Sequence, residues 1–234
     1  MDRWQEAEHY VNQDRVFYAN LCEILRRGSG DLLYAAPDGV LLYDRHSQVY
    51  MMSAQTPALA DWMLAQLPPK LEILVGFEQS YREKAKAQFG FKTEEICVSV
   101  LYERENPPEL SPFDGELCKL TKEHTQFVHQ HYSCDFSMDY IARAIDEGMI
   151  GIFVEGRMAG FIGNHFEGTM GLLEVLPEYR RRGFGEVLER AEVRLLLSQG
   201  KLALAHVFAD NEKSLALQRK IGLSVSEKTL FWIY

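Results

Sequence analysis

A short segment, residues 172–187, combines the residue types that could bind an anion: an apolar strand, a proline, three consecutive arginines and two glycines. The residues in question are Pro177, Arg180, Arg181, Arg182, Gly183, Phe184 and Gly185. A helix is predicted to begin at the glycines, and the first N–H groups of a helix lack partners and carry partial positive charge. The arginines add donors that suit phosphate, and the glycines let a ligand oxygen approach the backbone. The segment therefore predicts an anion cradle that fits a pyrophosphate.

Two common nucleotide-binding motifs are missing from the sequence. The chain has no G-x-x-x-x-G-K-[ST] segment, and no G-x-G-x-x-G segment follows a first strand. A P-loop nucleotide hydrolase and a Rossmann dinucleotide site are therefore both disfavoured. By itself the G-x-G pattern is weak, and a glycine-rich turn with exposed arginines is the alternative.

The order of two motifs narrows the interpretation. Arg180-x-x-Gly183-x-Gly185 follows Val175-Leu176-Pro177, and about 30 residues later a second helix opens at Asn211 and ends at Gly222. In this respect residues 116–234 resemble the GNAT N-acetyltransferases, in which the first motif binds the pyrophosphate of acetyl-CoA. The resemblance implies a GNAT fold for this half, with acetyl-CoA or CoA as co-substrate and no metal.

The resemblance also implies a role for individual residues. Backbone groups at the end of the strand would pair with the pantetheine arm, backbone amides of the loop and first helical turn would hold the pyrophosphate, and two residues of the second helix would contact the arm. The strand end consists of Val175, Leu176 and Pro177. The loop and first helical turn consist of Arg180, Arg181, Arg182, Gly183, Phe184, Gly185 and Glu186. The residues of the second helix are Asn211 and Ser214.

The implied reaction is direct acyl transfer to an amine, which needs a base and a proton for the leaving thiolate. Glu174 is the first candidate base, because it is a carboxylate within an apolar strand, where burial would raise its pKa. The alternative is that Glu174 faces solvent or bonds to a neighbouring strand. An N–H near Val175 or Leu176 would polarise the thioester carbonyl.

One position departs from the family pattern. The usual general acid is a tyrosine seven residues after the asparagine, and here that position is Gln218. Solvent or another residue must then protonate the thiolate, or the protein is no catalyst. Weaker candidates for the site are two strand histidines and two residues between the early helices of this half, namely His165, His206, Tyr132 and Asp135.

The surrounding elements are predicted from periodicity and turn signals, and they indicate an α/β (α+β) protein with a mixed sheet flanked by helices. In the first half a helical pattern up to Gly28 precedes three short strands, a helix from Thr56-Pro57, a strand, a helix ended by Gly90 and a strand. The second half is predicted to run strand, two helices, three strands, helix, strand, helix and a final strand or hairpin.

Three prolines in residues 107–112 favour a linker, which gives a first domain at 1–106, a linker at 107–115 and a GNAT domain at 116–234. Similar element orders and helix-ending glycines suggest that the halves are distant repeats. The connection at 53–57 has neither arginine nor paired glycines, so the first lobe is expected to have lost cofactor binding. The chain thereby resembles two-lobed proteins similar to glycine N-acyltransferases and FR47-like proteins, with a degenerate N-terminal lobe.

Composition limits the partners. The formal net charge of −9 disfavours nucleic acid, and no apolar run is long enough for a membrane helix. The four cysteines form no C-x-x-C motif and are too few for a disulfide framework, so we expect reduced thiols. The charged N-terminus has no apolar stretch, which predicts a cytoplasmic location. His124, His129 and His131 match no zinc spacing.

Three functions remain open from the sequence. The first is an acyl-CoA-dependent N-acetyltransferase that acts on a small amine or an amino acid. The second is a non-catalytic acyl-CoA sensor or scaffold, and the third is an enzyme that acetylates protein lysines or N-termini. The sequence does not specify the oligomeric state, and a homodimer is one assembly that it allows.

Overall fold

The computed structural model describes residues 2–234, and within that range it contains eight α-helices and eleven strands. The helices are Arg3–Val11 (α1), Ala19–Arg27 (α2), Pro57–Gln66 (α3), Arg82–Phe89 (α4), Thr125–His131 (α5), Met138–Glu147 (α6), Phe184–Ser198 (α7) and Glu212–Ile221 (α8). The strands are Gly30–Ala36 (β1), Gly39–Asp44 (β2), Val49–Ala54 (β3), Leu74–Gly76 (β4), Glu94–Leu101 (β5), Glu116–Lys119 (β6), Ile150–Val154 (β7), Arg157–Asn164 (β8), Met170–Val175 (β9), Leu204–Phe208 (β10) and Ser224–Ile233 (β11).

Local signals set most helix ends where the sequence predicts them. The Thr56 side chain accepts a hydrogen bond from Leu59 N, so it caps α3, and Ser137 caps α6 in the same way through Tyr140 N. The opening helical pattern is different, because a 3-10 turn at Asn12–Asp14 separates α1 from α2. Asp14 Oδ1 accepts from Phe17 N at 3.1 Å, and such a local bond competes with helix continuation.

The larger sheet has seven strands in the order β1-β2-β3-β4-β11-β5-β10. It is mixed, because β3 and β4 are parallel whereas β11 runs antiparallel to both β4 and β5. The last strand of the chain therefore lies inside a sheet that is built mainly from the first hundred residues. Gly76 is required there, since a Cβ at this position would lie 2.0 Å from the Phe231 ring.

The smaller sheet has four antiparallel strands in the order β6-β7-β8-β9. Phe161 pairs with Glu174 and Gly163 with Gly171, so two residues of β9 oppose a single residue of β8. This bulge contains the buried Leu172, whose φ of 49° lies in the left-handed region. β9 is at the edge of the sheet, and its C-terminal end leads into the candidate site.

By their contacts the residues form two compact units, which differ from the predicted domain boundaries. One unit contains the chain up to Leu101 together with His206–Ala216 and Ser224–Tyr234, and the other contains Tyr102–Ala205 and Leu217–Leu223. The difference follows from β11, because its pairing with β4 and β5 joins the chain end to the first half. Whether 1–106 and 116–234 are separate family domains stays a prediction.

Each unit buries apolar side chains on both faces of its sheet. In the first unit α1 and α2 contribute Tyr10 and Ile24 to one cluster, and α3 contributes Met63 to a second. In the second unit α5 and α6 pack with Leu172 on one face, and α7 packs on the other through Val187. No described helix is long and apolar enough to cross a membrane.

Candidate functional site

A compact loop joins the edge strand β9 to helix α7. A 3-10 turn, Pro177–Tyr179, follows the strand, and Tyr179 N donates to Leu176 O at 2.9 Å. Arg181 (φ 63°) and Gly183 (φ 83°) then take left-handed conformations, which turn the chain into the helix. The turn strains Arg181, whereas glycine adopts this region freely. The predicted strand, proline, arginine-rich loop and helix therefore occur in that order.

The first turn of α7 presents unpaired backbone donors. Val187 N donates to Gly183 O, so Phe184, Gly185 and Glu186 hold the three amides that precede the first intrahelical bond. No side chain of residues 2–234 caps this end, in contrast to α3, where Thr56 does so. A 15-residue helix with uncapped amides can bind an anion at its N-terminus.

The two glycines leave room for a ligand, as the expected cradle requires. Apart from the adjacent residues and the backbone of α7 itself, no described atom lies within 4 Å of a Cβ built at Gly183, and only Val175 Cγ2, at 3.9 Å, approaches one built at Gly185. The protein's own packing therefore does not require a glycine at position 185. The space beside these amides is open at both glycines, and a pyrophosphate site there stays a prediction.

The three arginines have different surroundings. Arg180 folds back onto the strand: its Nε donates to Val175 O at 2.9 Å, and its guanidinium lies 3.2 Å from Glu174 Oε1. Arg182 lies over the Phe184 ring, 4.9 Å from its centroid, and 3.4 Å from Asp114 Oδ2. The exposed Arg181 makes a left-handed turn between them. All three are within the loop, but two of them already have protein partners that a phosphate would have to share.

The edge of β9 distinguishes the two backbone amides proposed for the thioester. Leu176 N donates to Ala159 O at 2.9 Å, which continues the ladder with β8 and occupies that amide. Gly160 faces Val175 in the adjacent, non-hydrogen-bonded position, so the Val175 N–H and C=O point away from β8. Since β9 is an edge strand, the Val175 N–H can pair with an extended ligand, whereas the Leu176 N–H cannot. Val175 O already accepts from Arg180 Nε.

Glu174 lies on the face of β9 that α5 and α6 cover. Its side chain is 13% exposed and pairs with Arg180, so the carboxylate is neither free in solvent nor fully buried. Tyr132, which follows α5, lies close by: burial, and then the neighbouring Cys134 and Glu174, raise the pKa of its hydroxyl. No local sequence pattern links Tyr132 to Glu174, because their proximity depends on the fold.

Glu186 is placed differently from a ligand-binding side chain. Its carboxylate accepts from Lys220 Nζ at 2.5 Å and from Arg190 Nε at 3.0 Å. The hydrogen bond from Lys220, with a smaller contribution from Arg190, lowers the pKa of Glu186. Only the backbone amide of Glu186 is left for an anion, and no local sequence signal predicted the bond to Lys220.

Asn211 and Ser214 belong to the other compact unit. Asn211 Oδ1 accepts from Ser214 N at 3.0 Å, so the asparagine caps the N-terminus of α8. This bond occupies Oδ1 and leaves the side-chain Nδ2 of Asn211 as the available donor. The contacts of these residues with a pantetheine arm stay a prediction.

The position of the usual general acid is buried. Gln218 is 2% exposed and donates through Nε2 to Glu189 Oε1 at 2.9 Å. An amide has no proton of useful acidity, so Gln218 does not take the place of the tyrosine.

The other weak candidates have separate positions. His165 Nδ1 lies 2.7 Å from the Tyr140 hydroxyl, and Trp232 Nε1 donates to His206 Nδ1 at 3.1 Å. Asp135 is exposed. Among the described residues there is no group of three or more His, Cys, Asp or Glu side chains that could hold a metal ion.

In the first unit, the backbone at the end of β3, which leads into α3, is hydrogen-bonded to a carboxylate of the same unit. Phe77 N donates to Met52 O, so the pairing of β3 with β4 continues past the end of β4. Beyond them the Glu78 carboxylate accepts from Ala54 N at 2.8 Å and from Ser53 Oγ at 2.6 Å. The amide of the last β3 residue, Ala54, is thus bound to a carboxylate of the same unit. Loss of cofactor binding by this lobe stays a prediction.

Residues 149–232, which include β7 to β9 and the loop into α7, match the family model of the FR47-like proteins. No curated protein matches the chain. A Drosophila protein of known structure is 22% identical, with a TM-score of 0.67 over 83% of this chain and 73% of the other.

Two bacterial structures are similar over nearly the whole chain. The GCN5-related N-acetyltransferase from Kribbella flavida is 15% identical, with a TM-score of 0.58 over 94% of this chain and 93% of that one. The GCN5-related N-acetyltransferase from Sphaerobacter thermophilus is 12% identical, with a TM-score of 0.58 over 98% and 92%. At these identities the similarity establishes the fold.

Proposed function

We propose that the chain is an acyl-CoA-dependent N-acetyltransferase, because its fold is similar to those of two GCN5-related N-acetyltransferases and its residues 149–232 match the FR47-like family model. The acceptor in this proposal is a primary amine of a small molecule or an amino acid. The observation that carries the proposal is the junction of β9 and α7, where an edge-strand amide and an uncapped helix N-terminus lie on either side of one short loop.

Bound acetyl-CoA would supply an activated acyl thioester. The backbone of Val175 would pair with the extended pantetheine arm, and the amides of Phe184, Gly185 and Glu186 would hold the pyrophosphate. The exposed Arg181 adds a cationic donor at the same loop. Together these groups orient the thioester for direct attack, which contributes proximity without a covalent enzyme intermediate.

Glu174 is the proposed base. An alkyl ammonium has a pKa of about 10.4, so at neutral pH a group of the protein must take its proton. Glu174 is on the chain next to Val175, and its partial burial beside Tyr132 keeps bulk water from surrounding it. Arg180, which pairs with Glu174, holds the carboxylate and the end of the strand together.

No residue is assigned as general acid. Gln218 is buried, and its side-chain N–H donates a hydrogen bond to Glu189. We therefore propose that solvent protonates the thiolate. A second candidate function, an acyl-CoA sensor without turnover, is favoured by this same replacement of the tyrosine. The two functions differ in whether bound acetyl-CoA is consumed when an amine is present.

Calorimetric titration with acetyl-CoA tests the proposed function, with Gly183→Asp as the matched variant. Micromolar binding that the variant abolishes supports the cofactor site, because the substitution places a negative charge where the pyrophosphate would lie. An amine panel with detection of free thiol then separates enzyme from sensor. Lack of binding to the wild-type protein would contradict both functions.

A further inference from the structure

Two carboxyl groups are buried within the second unit, on the inner side of α7. Glu192 is 0% exposed and Glu189 is 6% exposed, and they are one helical turn apart. Charged side chains are rarely buried in this way unless they have partners, because removing a charge from water has a large cost. The proposed acyl transfer uses neither residue.

Each carboxyl has one amide partner. Gln218 Nε2 donates to Glu189 Oε1 at 2.9 Å, and Asn164 Nδ2 donates to Glu192 Oε1 at 2.5 Å. In both pairs the same two atoms have no hydrogen-bond partner among the described residues, namely the second carboxyl oxygen and the amide oxygen. Each pair thus contains two buried acceptors and lacks one donor.

A single proton on each pair would supply the missing donor. We propose that Glu189 and Glu192 are protonated in the folded protein, and that each Oε2–H donates to the amide oxygen of its partner. Each carboxylic acid and amide then form a closed pair with two hydrogen bonds, and all four unpartnered oxygens are satisfied. Glu189 and Glu192 are in this view positioning residues, which fix α7 to β8 and to the last turns of α8.

The electrostatic surroundings favour the neutral acids. Burial raises the pKa of both Glu189 and Glu192 to about 7, and the proximity of Glu189 adds to the shift at Glu192. Lys201 is the charged group that acts in the opposite direction, at Glu192 alone. The facing groups on β8 and α8, Asn164 and Gln218, are uncharged.

The protonation has a consequence for stability that does not depend on CoA. A carboxyl that is protonated when folded and ionised when unfolded makes the protein less stable as the pH rises towards the folded pKa. The loss begins near the unfolded pKa of about 4.3 and is complete once the folded group has ionised, at a pH of about 7. Within this window each carboxyl changes the unfolding constant by about tenfold per pH unit.

The test compares urea unfolding of the wild-type protein and Glu189→Gln/Glu192→Gln between about pH 5.5 and about pH 8.5. Glutamine has the donor and the acceptor of the protonated acid but cannot ionise. We expect the ratio of the wild-type unfolding constant to that of the variant to rise by up to about a hundredfold per pH unit and to level off above about pH 7. Glu227→Gln, at an exposed position, removes one carboxylate as the control and is expected to leave this ratio constant.

Three results would overturn the proposal. One is a ratio that does not change with pH. Another is failure of both single glutamine variants to fold, because a neutral amide should replace a neutral acid. The third is the absence, near pH 6, of an infrared carbonyl band of un-ionised carboxyl that Glu189→Gln/Glu192→Gln reduces. The exchanged pair Glu189→Gln/Gln218→Glu is expected to keep this band and the pH dependence.

Discussion

Adjacent residues at the end of β9 have different hydrogen-bonding surroundings. Val175 turns its N–H and C=O away from the sheet, Leu176 gives its N–H to Ala159, and Glu174 turns its side chain to the face that Tyr132 covers. A proposed acyl-binding group and a proposed base are thus neighbours on one edge strand. This arrangement follows from the alternation of strand residues together with the bulge at Leu172.

Replacing the Glu174 carboxylate by an amide tests its role as base. We expect Glu174→Gln to lower kcat by about 10²- to 10⁴-fold, the usual contribution of a general base, and to leave the Kd for acetyl-CoA nearly unchanged. Amine acetylation and calorimetric binding are measured on the same samples. Wild-type turnover of the variant across the pH range would contradict the assignment.

Gly185 allows folding and ligand binding to be separated. A Cβ at this position meets only Val175 Cγ2, at 3.9 Å, so Gly185→Ala is expected to fold and to gain up to about 1 kcal/mol of helix stability. The added methyl group occupies space that the pyrophosphate needs, so affinity for acetyl-CoA should fall. Thermal unfolding and calorimetry check both parts, and unchanged affinity would show that the phosphates lie elsewhere.

At the scale of elements, the helix N-termini differ in how they are capped. Thr56 caps α3 and Asn211 caps α8, whereas Gly183 leaves α7 open. The caps of α3 and α8 stabilise these helices, whereas the uncapped end of α7 is the one that the proposed cofactor needs. The same sequence position, the residue before a helix, is therefore used for two purposes.

The cap of α8 gives a prediction with an internal control. Asn211→Ala removes the acceptor for Ser214 N and should cost about 1 kcal/mol of the free energy of unfolding, measured in urea. Asn211→Ser keeps a capping oxygen but loses the amide donor, so it should restore most of the stability. If the amide contacts the pantetheine arm, Asn211→Ser will bind acetyl-CoA more weakly than the wild type, and equal affinity would contradict that contact.

At the scale of the whole molecule, the chain end completes the sheet of the first half. β11 lies between β4 and β5, and Phe231 is fully buried against Gly76. A sequence interpretation that assigns residues 116–234 to one domain does not include this pairing. The stability of the first unit must therefore depend on the last ten residues.

Truncating the buried aromatic side chain tests this dependence. Phe231→Ala is expected to lower the free energy of unfolding by about 3–5 kcal/mol and to increase amide exchange in β4 and β5. The exposed Phe208 supplies the control, since Phe208→Ala makes the same change with little burial lost. Equal effects of the two substitutions would contradict a central role for β11.

Much of the fold class and of the loop into α7 could be predicted from the sequence, because these features depend on neighbouring residues. Thr56, Ser137 and Gly90 start or end helices through local hydrogen bonds. The backbone conformation of residues 177–185 likewise depends on the proline, arginines and glycines within that segment. The mixed α/β class follows from the same local periodicities, and the fold comparison confirms it.

Contacts between residues far apart in the sequence were decided by the tertiary structure alone. The partner strands of β11, the bond from Lys220 to Glu186, and the closeness of Tyr132 to Glu174 each join residues more than 30 positions apart. Which of Val175 and Leu176 keeps a free amide likewise depends on the register with β8. A periodic pattern specifies which face of an element is apolar but does not specify the element that covers it, so these features could not be read from the sequence.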